Sequence, residues 1–235
     1  MKTVILCGGF GTRLGKETQK IPKPMIIINR KPLVEWIIQI YAKYGFKEFI
    51  LVTGYKHKVI ENYFKKKKFD NNISVKFVYT GLKTNTGGRI LKLKKFFKKD
   101  EDFMLTYGDG LSSINIKKLA KFHTKHSGVA TVTAVRPPAR FGEILFNTNS
   151  NIVKNFSEKP RTNNGWINGG FFVLNYKVFN FFKKTNEIFE YHILKRLTTS
   201  NNLYAHKHIG IWQCCDTPRD KSLITEIIKK NLLRL

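Results

Sequence analysis

Residues Met1–Met25 read MKTVILCGGFGTRLGKETQKIPKPM, and the rest of the chain is organised around them. Thr3–Leu6 is an apolar run long enough for a buried strand, and Gly8-Gly9-Phe10-Gly11-Thr12-Arg13 follows at once. Bare glycines suit a backbone that must approach a ligand closely. Successive exposed N–H groups in such a turn form a concavity that attracts anions, and the planar fork of Arg13 matches phosphate oxygens. Ten residues on, Pro22-Lys23-Pro24 presents one lysine on a segment stiffened by two prolines. Together these features read as a polyphosphate site. The spacing is neither that of a P-loop nor the GxGxxG of a dinucleotide fold. A plain strand-to-helix turn with surface charges is the bland alternative.

Outward from this stretch, strands and helices alternate. Strands are expected at Phe49–Val52, Ser74–Tyr79, Phe103–Thr106 and Ala130–Val135, and helices at Leu33–Tyr44, Lys58–Lys67, Arg89–Phe97 and Ile116–His126. Gly45 is a natural stop for the first of these helices. The alternation predicts an α/β fold, a mainly parallel, Rossmann-like sheet covered by helices on both faces. Ligands on such sheets bind at the carboxyl ends of strands, where the glycine turn and Gly108-Asp109-Gly110 would both lie. After Pro137-Pro138 the pattern changes. Glu143–Phe146, Ile152–Phe156 and Phe171–Leu174 read as a small antiparallel extension for a second substrate. Val178–Phe182 and Phe189–Leu197 read as helices, Leu203–Ala205 and Gly210–Gln213 as strands, and Pro218–Leu233 as a closing helix. The expected organisation is one domain over 1–235, with a nucleotide-binding half at 1–136 and a sugar-phosphate half at 137–235.

A chain of 235 residues with 42% hydrophobic residues can bury a sizeable core, so disorder is excluded. No stretch approaches the length of a membrane-spanning helix, and no signal peptide is expected ahead of the opening motif. Cys7, Cys214 and Cys215 do not form a disulfide framework or a zinc pattern, and the cytosol fits best. The formal charge of +27 comes mostly from scattered lysines. No nucleic-acid-binding motif accompanies them, so a nucleic-acid partner is not expected. A positive field would still draw in anionic nucleotides and sugar phosphates.

Asp109, between two glycines at a strand end, suits Mg²⁺, which takes one or two protein carboxylates and keeps several waters. Asp216 is a second candidate, though it could instead N-cap the last helix ahead of Pro218.

GGFGTRL (8–14) followed by PKPM (22–25) resembles the signature of the sugar-phosphate nucleotidylyltransferases. TYGDG (106–110), RFGEI (140–144), FSEKP (156–160), INGGFFVLN (167–175) and GIWQCCDTPRDK (210–221) follow in that family's order, and TGGR (86–89) resembles its cytidylyltransferase branch. The resemblance implies CTP and glucose 1-phosphate as substrates, CDP-glucose and pyrophosphate as products, and a role in making deoxysugars for surface polysaccharide. It implies that Asp109 and Asp216 hold Mg²⁺, and that Arg13 and Lys23 neutralise phosphate charge. Leu6, Gly8, Gly9, Gly11, Thr12, Arg13, Lys23, Thr84, Gly88, Arg89 and Gly108 would hold the nucleotide. Lys159 would grip the sugar phosphate, Gly142 would give the sugar room, and Glu158, Asn168 and Glu190 would reach sugar hydroxyls. A homo-oligomer stays open. The chain departs from the branch at Phe189-Glu190-Tyr191-His192-Ile193, where Trp-Glu-x-Glu-Pro is usual. His192 either lines the sugar pocket or sits on the rim of an amphipathic helix.

Overall fold

The protein is described by a computed structural model covering residues 1–67, 69, 72–137, 143–147, 150–157 and 165–235; the side chains of Arg13, Lys16, Glu143 and Leu145 lie outside the description. In chain order the strands are β1 (Thr3–Cys7), β2 (Ile27–Ile28), β3 (Lys31–Pro32), β4 (Glu48–Thr53), β5 (Ser74–Tyr79), β6 (Asp102–Tyr107), β7 (Gly110–Ser112), β8 (Ala130–Val135), β9 (Glu143–Phe146), β10 (Val153–Ser157), β11 (Ile167–Asn175), β12 (Leu203–His208) and β13 (Trp212–Cys214). The α-helices are α1 (Lys16–Lys20), α2 (Leu33–Ala42), α3 (His57–Lys66), α4 (Thr86–Leu91), α5 (Ile116–His123), α6 (Leu194–Thr199) and α7 (Pro218–Lys229).

A seven-stranded sheet in the order β12-β8-β11-β6-β1-β4-β5 forms the centre. All its strands but β11 run in one direction. Its middle strands carry unbroken apolar runs, Val4–Cys7, Phe103–Leu105 and Phe171–Leu174, because both faces are covered. Ile5, Phe49, Leu51, Met104 and Val173 pack against α2, α3, α5 and α7. Val4, Leu6, Ile50, Phe103, Leu105 and Phe172 pack on the other side, against Ile90, Leu93, Phe97, Phe189, Ile193 and Leu197. The alternating α/β reading of the sequence therefore holds.

The structure corrects the reading of Phe171–Leu174. This run belongs to β11, which sits between β6 and β8 in the main sheet. Four successive buried residues, Phe171, Phe172, Val173 and Leu174, suit a central strand rather than an outlying one. β9 and β10 alone form a separate antiparallel hairpin. Two helices are also shaped differently. α4 begins at Thr86, and a 3₁₀ turn over Lys94–Phe96 follows it, while Ile90, Leu93 and Phe97 still face the core. The run from Phe189 opens with a π-turn to Ile193 before α6. Among the described residues, no helix is long and apolar enough to cross a membrane.

β11 carries an irregularity between Asn168 and Phe172. Gly170 lies there at φ 79°, and a Cβ on it would come within 2.5 Å of the Tyr107 ring. Gly170→Ala should combine backbone strain with that clash and lower stability by about 1–3 kcal/mol. Urea unfolding reads this directly; an unchanged midpoint would mean that strand and ring relax without penalty.

Candidate active site

β1 and β6 are parallel neighbours, with Leu6 opposite Tyr107. Their carboxyl ends therefore release the glycine loop and Gly108-Asp109 side by side. β7 continues from Asp109 and pairs with β13, Gly110 opposite Cys214. That pairing carries Asp216 back to Asp109, about 110 residues away in sequence, and Cys215 N–H donates to the Asp109 carbonyl at 2.9 Å. The cap of α7 is Thr217, not Asp216. Thr217 and Asp220 form a reciprocal capping box, and Asp220 also accepts from the Asp216 N–H at 3.1 Å. The cap thus orients the Asp216 backbone and leaves its carboxylate to the cleft.

Lys23 joins the two acids. Its Nζ lies 2.6 Å from Asp109 Oδ2 and 2.6 Å from Asp216 Oδ1. The 3₁₀ turn Lys23–Met25 closes through Met25 N–H to the Pro22 carbonyl at 2.8 Å, so the lysine leaves a fixed backbone. Gly11, at φ 67°, passes over it, and a Cβ there would sit 2.8 Å from the Lys23 Cβ. Burial opposes the ammonium charge, but Asp109 and Asp216 outweigh it and hold the Lys23 pKa above its ordinary value.

These groups line a cleft of about 480 Å³, a size usual for small-ligand sites. Of the expected nucleotide residues, Leu6, Gly8, Gly9, Gly11, Thr12, Lys23, Thr84, Arg89 and Gly108 lie on its wall, with Asp109 and Asp216. Arg13 begins its course in the 3₁₀ turn Thr12–Leu14 beside them. Arg89 has a role of its own: it is buried, and its guanidinium donates to the carbonyls of Gly8 (2.9 Å), Thr53 (3.1 Å) and Gly81 (3.0 Å) and to Thr80 Oγ1 (2.6 Å). It ties the glycine loop to β4 and the loop after β5. Gly88 is not on the wall. It lies behind it, against the backbone of Thr185 and Glu187.

Of the residues expected to reach the sugar, Glu190 accepts from Thr86 Oγ1 at 2.7 Å and from Tyr107 OH at 2.5 Å, and Asn168 Nδ2 reaches Tyr107 OH at 3.4 Å. Burial, then Glu190, pushes the Tyr107 pKa up, so the phenol stays protonated and donates. Gly142, Glu158 and Lys159 fall outside the described residues. His192 is exposed, absent from the cleft wall, and turns its Nδ1 to its own Ile188 backbone at 3.0 Å. The rim position is the one observed.

Sequence reasoning missed Tyr107, Thr86 and the Thr217–Asp220 box. Tyr107 stands directly before the Gly-Asp-Gly turn, which was signal enough. Burial, with Asp216 beside it, pushes the Cys214 thiol up to about 12, and burial pushes Cys215 up to about 11, which works against a thiolate at either position.

Residues 2–227 match the family model described as nucleotidyl transferase, and the chain belongs to that family. It is 38% identical to the glucose-1-phosphate cytidylyltransferase of Salmonella typhimurium, over 98% of this chain and 96% of that protein. It is 37% identical to the D-glycero-alpha-D-manno-heptose 1-phosphate guanylyltransferase of Campylobacter jejuni, over 77% of this chain and 79% of that protein. The crystal structure of HddC from Yersinia pseudotuberculosis complexed with GMP-PN aligns with TM-score 0.74 at 24% identity, covering 97% and 99% of the two chains; that likeness shows the fold alone.

Behind the cleft, Glu187 is buried and accepts from the N–H of Lys183 (2.9 Å) and Lys184 (3.2 Å) and from both Arg196 nitrogens. Arg196 holds its carboxyl at about 2, below the ordinary 4.5. A depressed carboxylate contributes stability above the unfolded value and loses it as pH falls through the folded one. The stability advantage of wild type over Glu187→Gln should therefore shrink between pH 4.5 and 2. Urea unfolding of both proteins across that range checks it, and a constant difference would dismiss the pairing.

Proposed function

We propose that this protein transfers a cytidylyl group from CTP to glucose 1-phosphate, forming CDP-glucose and releasing pyrophosphate. The observation that carries the reading is Lys23 clasped by Asp109 and Asp216 beside the glycine loop. Similarity to the Salmonella protein over nearly the whole length of both chains supports the choice of substrates. A phosphate oxygen of the sugar 1-phosphate attacks the α-phosphorus of CTP. The new P–O bond forms as the bond to the β-phosphate bridge breaks, and that electron pair leaves with pyrophosphate. Such transfers ask for positioning and charge stabilisation rather than a covalent intermediate. Backbone N–H groups of Gly8–Thr12 hold phosphate oxygens, and Lys23 and Arg13 supply positive charge.

The site suits Mg²⁺. Two carboxylates converge on one point, and a cationic ammonium stands there as a proxy for the charge they can accommodate. Among the described residues, no group of three or more His, Cys, Asp or Glu is placed to hold a metal. Two carboxylates completed by substrate phosphates and waters is the pattern Mg²⁺ favours. Asp109 and Asp216 would be its protein ligands, and when bound it supplies positive charge to the phosphate oxygens. We also place the enzyme in the cytosol, where nucleotides and sugar phosphates are available.

Asp109→Asn and Asp216→Asn should each lower kcat by about 10² to 10⁴, because each removes a fixed charge at the phosphates. Pyrophosphate release at saturating Mg²⁺, with circular dichroism to confirm folding, measures this. Near-normal turnover in either variant would exclude that residue from the metal pair.

A second reading, guanylyl transfer to a heptose 1-phosphate, draws on the Campylobacter relative. Four nucleoside triphosphates assayed against a panel of sugar 1-phosphates decide between the two. The expected optimum is CTP with glucose 1-phosphate, and His192→Glu should leave kcat/KM within about twofold, since the exposed ring faces away from the cleft. A best pair of GTP and a heptose 1-phosphate would replace the named reaction while keeping its class.

A further inference from the structure

One part of the cleft wall, Leu82–Thr86, is neither glycine loop nor acidic cluster. If phosphates occupy the glycine loop, as the nucleotidyl-transfer reading above requires, the nucleobase falls against this remaining rim. Apart from Lys83, its polar side chains are committed elsewhere, Thr86 to Glu190 among them. Thr84 Oγ1 donates to the Thr80 carbonyl at 2.5 Å, and Asn85 Nδ2 donates to the Asn186 carbonyl at 3.1 Å. What the rim offers a base is largely backbone N–H and C=O. Backbone groups discriminate between bases only when their position is held, since a site rejects a ligand by leaving fixed polar groups unpaired.

Asn186 does the holding. Its Oδ1 accepts from the Asn85 N–H at 2.7 Å, and its Nδ2 donates to the Lys83 carbonyl at 3.5 Å. It grips the rim from behind with both ends of its amide and with its own carbonyl. Its neighbour is immobilised in turn: Glu187 is buried on Arg196, and its carbonyl accepts from Gly88 N–H at 3.1 Å. A Cβ at Gly88 would lie 2.8 Å from Asn186 Oδ1, so the bare glycine permits the close seat. This accounts for Gly88, which lies behind the rim rather than on the cleft wall.

We propose that Asn186 is a positioning residue for base selection, holding the 83–85 backbone where it distinguishes one nucleobase from another. The test compares kcat/KM for the four nucleoside triphosphates with glucose 1-phosphate as acceptor, read as pyrophosphate release. Asn186→Leu, close in size but unable to hydrogen-bond, should reduce the ratio of best to second-best nucleotide by about three- to tenfold, the ordinary worth of a hydrogen bond. The change should enter through KM of the preferred nucleotide, with kcat within about twofold. Asn186→Asp keeps the acceptor for Asn85 N–H and should hold the ratio within about twofold of wild type. An unchanged ratio in Asn186→Leu overturns the proposal, as does an equal loss of kcat/KM for every nucleotide, which is what general loosening would produce. Wild-type turnover is the control that separates the two readings. Its absence with all four nucleotides overturns transfer to glucose 1-phosphate, whereas an unaltered ratio in an active Asn186→Leu enzyme overturns only the role of Asn186.

Discussion

Two ionised carboxylates crowded into one small volume repel unless a positive charge lies between them. In this protein Lys23 supplies it, 2.6 Å from each. Much of the structure serves that contact. β1 ends in the loop that roofs the lysine, the Pro22–Pro24 segment aims it, β6 delivers Asp109, and the β7–β13 pair with the α7 cap delivers Asp216. The lysine side chain is only 11% exposed, so its attraction to the acids is weakly screened. Removing one member of such a cluster leaves the others buried with uncompensated charge. The same two acids and one ammonium are also the groups a polyphosphate with its divalent ion would engage. The contact that organises the fold around the cleft therefore coincides with its proposed chemistry.

The remaining wall shows a second economy. Arg89 crosslinks three backbone segments, and Glu190 ties Thr86 to Tyr107. Conserving polar side chains for internal bonds leaves backbone groups and a few charges to face the ligand. Positioning of this kind suits a displacement at phosphorus, where the protein contributes placement and charge rather than a nucleophile.

The segment 181–190 belongs to the second half of the chain but braces the first. Arg196 donates to the Phe181 carbonyl at 2.7 Å and to Glu187, and the Asn186–Phe189 stretch holds the start of α4, with Phe189 N–H on Thr86 Oγ1 at 3.0 Å. β11 likewise enters the main sheet from that half and stacks Phe171 on Tyr41, with ring centroids 6.0 Å apart. The cleft wall around Thr86 is thus assembled from both parts of the chain.

Sequence by itself determined the alternation of strands and helices, the glycine loop, the clamped Lys23 and both acids, because these rest on local periodicity, on the backbone demands of glycine and proline, and on a motif order. It could not decide where Phe171–Leu174 pairs, since an apolar run is equally suited to any strand covered on both faces. Nor could it decide whether Asp216 caps a helix: Asp and Thr are both good caps, and the choice of Thr217 depends on Asp220 reaching back. TGGR gave no sign that Arg89 crosslinks the glycine loop, β4 and the loop after β5, or that Gly88 seats α4 against 185–187. Long-range contacts of this kind are set by which surfaces meet after folding, and no local pattern encodes them.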